Sequence, residues 1–187
     1  MASDALRRRG QALEDAFFAA KDRQLLDQLR DHMKEEQCCA VLKQATGISS
    51  EVVLKELLAA GINELTITAV GMIPLVQVAW ADRSMNEAER NAVLEAANQS
   101  GISQEHAAYP LLLKWLEHRP ADSLYATWAD YIEALKNTLD AGSFQALSSD
   151  IVQRIEAVAE AAGGILGIGK VSQVEREAIE SIAGHLS

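Results

Sequence analysis

The sequence predicts an all-α protein: a single compact bundle of about eight helices. Three observations lead there. No stretch alternates apolar and polar residues long enough to make a half-buried strand. Apolar residues recur instead at helical spacing along the chain. Of its 187 residues, 49% are hydrophobic, many of them the strong helix formers Ala and Leu, which is enough for the core of one domain.

The elements follow in order. Residues 1–48 read as a long or bent N-terminal helical arm. Leu6, Leu13 and Phe17 lie on one stripe, and Leu25, Leu29 and Met33 continue an apolar face. Arg7, Arg8, Arg9, Lys21, Asp22 and Arg23 crowd the other sides. Residues 49–187 read as the main helical domain. Gly47 suits a helix end, and Ser49 or Ser50 can cap the helix that follows. Gly61 stops that helix. "LTITAVGMIPLVQVAWA", Leu65 to Ala81, is the longest uncharged run. It reads as a buried central helix rather than a membrane span, with Thr66, Thr68, Pro74 and Gln77 inside it. Pro74 must kink or restart the helix, because it lacks a donor and clashes with the preceding turn. "DRSMN" is a turn. A helix then runs from Asn86 to about Gln99, Gly101 stops it, and Ser103 caps the next. Pro120 and Asp122 punctuate before "SLYATWADYIEALKNTL", and "DAGS" breaks that helix. One further helix precedes a glycine cluster, and the last starts at Ser172.

Composition narrows the function. The formal net charge is −10, which argues against nucleic acid, whose phosphates demand a basic face, and against anionic membranes. Cys38 and Cys39 are the only cysteines. Adjacent cysteines rarely bridge, so a reducing, cytoplasmic location is expected.

One turn-and-helix is written twice. At an offset of 86 residues, Met85 falls on Val171, Asn86 on Ser172, Glu89 on Glu175, Arg90 on Arg176, Ala92 on Ala178 and Val93 on Ile179. Asn86-x-x-Glu89 and Ser172-x-x-Glu175 are both capping boxes: the cap side chain accepts from a first-turn amide, and the Glu reaches back to the cap's own N–H. A second reading starts from Asp82. A carboxylate before a tight turn and two after it, Glu87 and Glu89, can converge, and hard divalent cations take such oxygens. The spacing is not that of an EF-hand. Asp130, in "TWAD", echoes Asp82 in "AWAD" as a second-rank ligand.

The sequence "VAWAD", a short turn and "MNEAER" resembles the TerB-like (tellurite resistance) domains, whose pattern is Ala-Asp-Gly-x-Val/Ile-Asp/Ser-x-x-Glu-Arg. The resemblance covers about residues 65–187, with "GKVSQVEREAI" as the second half. It implies an all-helical fold of two related helix-turn-helix halves, a link to tellurite and other stress responses, and metal binding by acidic residues. Asp82 and Glu89 are the carried-over candidates, with Glu175 in the second half. Arg83 stands where the family has Gly, Asn86 replaces the acidic cap, and Ile168 stands opposite Asp82.

Other motifs are thinner. "GILGIGKV" has Gly164, Gly169 and Lys170 at phosphate-loop spacing, but Val171 stands where a hydroxyl must hold magnesium, and a helix rather than a strand precedes it. His32, His106, His118 and His185 have no ligand spacing. No nucleophile–base arrangement can be nominated. The expected function is therefore non-enzymatic, and the resemblance implies a stress-associated helical protein. Its only cofactor would be a divalent ion at Asp82, Glu87 and Glu89. The alternative is an interaction module docking its N-terminal helix on a protein partner through Leu6, Leu13, Phe17 and Phe18.

Overall fold

The computed structural model describes the backbone of residues 2–164 and 172–187, and the side chains of residues 21, 24–160 and 172–187. These residues carry eight α-helices and no strand.

Helix α1, Ala2–Thr46, is one continuous rod of 45 residues. It ends where Gly47 takes φ 73°, the left-handed conformation that glycine adopts at least cost. Among the described residues, its last turns pack: Cys38 and Cys39 are half-buried, and Leu42 is fully buried against α2, Glu51–Ala59. The body thus takes in the end of the helix from Cys38 onward. At roughly 1.5 Å per residue, the part before Cys38 spans about 54 Å. Ser50 caps α2, its hydroxyl accepting from the Val53 N–H. Gly61 follows with φ 84°.

The long apolar run divides at its proline. A 3-10 helix spans Ile67–Met72, and α3, Ile73–Ala79, restarts with Pro74 in its first turn, where a missing N–H costs nothing. Six of the seven residues of α3 are buried, and each large apolar side chain there contributes about 1.5–3 kcal/mol by leaving water. Helix α4, Glu87–Gln99, stops at Gly101, φ 83°. The next helix differs from expectation. Ser103 does not cap it; α5 is Tyr109–Glu117, with Ala108 as N-cap and Pro110 in the first turn. The proline, preset for a first helical turn, fixes the start six residues later. Helices α6, Asp122–Lys136, α7, Ala141–Gly164, and α8, Gln173–His185, complete the chain.

α3 is the hub. It packs on α4, α6, α7 and α8, and α4 lies along α7. One continuous apolar core runs from Leu42 to Leu186. Among the described residues, no helix is long and apolar enough to cross a membrane.

Candidate functional site

The first turn of α4 is built by short-range hydrogen bonds. Asp82 Oδ1 accepts from both the N–H and the hydroxyl of Ser84, each at 2.8 Å. Arg83, between them, takes φ 68°, and among the described residues it is the one non-glycine with positive φ. Asn86 Oδ1 accepts from the Glu89 N–H at 2.9 Å, and Glu89 Oε2 accepts from the Asn86 N–H at 2.8 Å. The capping box expected from the sequence is complete, and its twin is complete at Ser172 and Glu175.

Glu89 is 6% exposed. Burial pushes its carboxyl above the ordinary value of 4.5; the Asn86 amide opposes that rise, and the nearby charges of Asp82 and Glu175 add to it. The charge of Glu175, from the second boxed first turn, thus reaches Glu89. Glu87 is exposed in the first turn of α4. Asp130 is exposed on α6 and is not among the charges acting on Glu89. Among the described residues, no three His, Cys, Asp or Glu side chains gather in a way that could hold a metal ion. Asp82 and Glu89 each spend an oxygen on the backbone, so the carboxylates do not form a ready cation cage.

The second candidate surface is on α1. The backbone of Leu6, Leu13, Phe17 and Phe18 lies in this helix, but their side chains fall outside the described residues. Further along, every side chain from Gln24 to Gln37 is exposed, including Leu25 at 64%, Leu26 at 53%, Leu29 at 57% and Met33 at 53%. Four large apolar groups within three turns of a single helix form an uncovered face. The charges beside it pair along the helix, Arg30 with Asp27 and Lys34 with Asp31. Leu25, Leu29 and Met33 were legible as an apolar stripe; that the fold leaves the stripe bare was not.

Cys38 and Cys39 are free thiols, and burial pushes the Cys39 thiol up, away from a reactive thiolate. Gly169 and Lys170 of the phosphate-loop-like stretch lie outside the described residues. No family model, curated protein or solved structure matches this chain.

Proposed function

We propose that this protein is a non-enzymatic, TerB-like helical adaptor of the cytoplasm, associated with stress responses, whose acidic body presents α1 to a different protein. The partner surface is an apolar groove bordered by basic residues. The observation that carries this reading is the bare face of Leu25, Leu26, Leu29 and Met33 on a helix whose last turns pack on α2. Spacing of four residues from Leu25 to Leu29 to Met33 is what an amphipathic helix offers a groove. Charge selects the partner. Residues 1–37 hold seven basic and eight acidic side chains, whereas 38–187 hold ten and nineteen. A nearly neutral arm joined to a strongly acidic body favours a basic border and disfavours a second acidic copy alongside. The TerB-like part of the reading is supported by the paired boxed helices α4 and α8, which both pack on α3.

The test is photo-cross-linking from position 28 of the full chain in cells, compared with the Leu25→Glu/Leu29→Glu variant. The expected result is one heterologous cross-linked species, lost in the variant, whose purified component binds the chain more weakly as salt rises. The variant's unfolding midpoint should stay unchanged, because these side chains touch nothing in the body. Self-cross-links alone, or capture that survives the double substitution, would overturn the reading.

A second reading has one observation in its favour. The repulsion that Asp82 and Glu175 exert on Glu89 would be relieved by a divalent cation drawn in by side-chain rotation. Chelated protein titrated with calcium, magnesium, manganese and zinc tests it. An ion at 100 times its dissociation constant adds about 2.7 kcal/mol, and that gain must vanish in Asp82→Ala.

A further inference from the structure

A cleft of about 440 Å³ lies between α2 and the corner joining α5 to α6, within the size range of small-molecule sites. Its floor is apolar, with Trp115, Pro120 and Leu124 buried along it. Glu56, from the last turn of α2, forms one wall. Its Oε2 is shielded from solvent and has no donor. A carboxylate oxygen cut off from water needs a donor, and none of the described residues supplies one. Thr127 also lines the cleft. It is only 6% exposed, and its hydroxyl can donate or accept.

Basic side chains line the same cleft: Lys114, His118 and Arg119. Among the described residues Lys114 has no ion-pair partner, and Arg119 gives one N–H to Asp122 Oδ1 at 2.7 Å, which leaves its other donors open. Asp122 itself does not line the cleft. The first turn of α6 also lines the cleft through Ala121 and Ser123. Its N-cap is Ala121, which has no side chain to cap with; the Leu124 N–H donates to the Ala121 carbonyl at 2.9 Å, which leaves the amides of Asp122 and Ser123 at the start of this 15-residue helix for an anion.

A donor-hungry carboxylate, a hydroxyl, cations, two first-turn amides and an apolar floor within one cleft describe a ligand with both charges and a greasy side chain. We propose that this cleft binds a small amino-acid-like zwitterion with an apolar side chain. The ligand's ammonium sits against Glu56 and Thr127, its carboxylate faces Lys114, Arg119 and the start of α6, and its side chain rests on Trp115 and Leu124. A free amino acid and a short peptide share this chemistry and differ in the distance between their charges.

Calorimetry on the full chain with L-leucine and with L-leucyl-L-leucine distinguishes the two sources. The controls are 4-methylpentanoate, which lacks the ammonium, and 3-methylbutylamine, which lacks the carboxylate. One of the two zwitterions is expected to bind at a single site, and both half-analogues at least about tenfold more weakly. Glu56→Gln, which keeps shape and removes charge, and Lys114→Met should each weaken binding about tenfold or more, as loss of a charged hydrogen-bond partner does. Circular dichroism and the unfolding midpoint confirm that both variants fold. The proposal is overturned if neither zwitterion binds at about 10 mM, where even a millimolar site is mostly filled. Equal binding of a half-analogue, or unchanged binding by Glu56→Gln, overturns it as well.

Discussion

Arg83→Gly should make the protein more stable. Arg83 sits at φ 68° in the turn before α4, held there from both sides. Its N–H donates to the Trp80 carbonyl at 2.9 Å, and the next residue, Ser84, is fixed by Asp82. For a residue with a Cβ, the left-handed conformation costs roughly 1–2 kcal/mol. Glycine removes that cost but enters with a more flexible unfolded chain, worth about 0.5–1 kcal/mol in the other direction. The difference favours the variant by about 0.5–1 kcal/mol. For a chain of this size, 1 kcal/mol moves the midpoint by about 2–4 °C, so a rise of about 1–4 °C is expected. Arg83 is exposed and makes no ion pair among the described residues, so little else is lost. Arg83→Ala is the control: it removes the same charge and keeps the Cβ. Differential scanning calorimetry of the three proteins decides. If the glycine variant melts no higher than the alanine one, the turn is not under the strain argued here.

Two further outcomes follow from buried groups. The folded Glu89 carboxyl holds its proton more tightly than an unfolded one, so its contribution favours folding most below pH 4.5 and is lost as pH rises through the raised folded value. Glu89→Gln keeps an acceptor for the Asn86 N–H and cannot ionise. Its stability relative to the parent should therefore climb between pH 4 and pH 7, whereas Glu89→Ala should cost about 1 kcal/mol at pH 7 by leaving that amide unbonded; parallel pH-dependent urea melts read both. Tyr125→Phe should be neutral or stabilising by up to about 1 kcal/mol, because the phenol is shielded, has no partner and is pushed up to about 12 by burial. A midpoint drop of several degrees would mean that the hydroxyl is bonded.

What was legible in the sequence was local. Gly47, Gly61 and Gly101 stand where helices end, each with positive φ, because a residue without a Cβ is the cheapest way out of a helix. Asn86 and Ser172 cap as their spacing to Glu89 and Glu175 requires, since both partners lie within one turn. Pro74 restarts the central run for the same local reason. The Ser103 cap failed because two local signals competed, and Pro110 fixed the helix start. The candidate sites were legible only in part. Nothing in the order of residues says that Glu89 is buried, or that Leu25 and Met33 are not, because burial depends on which other helices arrive. Glu56 and Lys114 are far apart in the chain and share no period, so the cleft they flank leaves no trace in the pattern.

The repeated turn-and-helix acquires a physical meaning from α3. Helix N-termini carry partial positive charge and attract carboxylates. A box uses that attraction and a reciprocal hydrogen bond to fix where the helix begins. The central hub packs on both α4 and α8, so a chain that starts both helices with the same box sets both against α3 by the same means. The arrangement has a consequence that a single box would not. Two first turns close together bring two glutamates close together, and the more buried one, Glu89, registers the charge of Glu175 as well as that of Asp82. Glu89 closes the box that starts its own helix, while the charge of Glu175 opposes its ionisation. The pair is therefore expected to couple: in a double-mutant cycle, Glu175→Gln should make Glu89→Gln less rewarding at pH 7, because the repulsion it relieves is already gone. Strict additivity of the two substitutions would separate the boxes electrostatically and leave only their shared geometry.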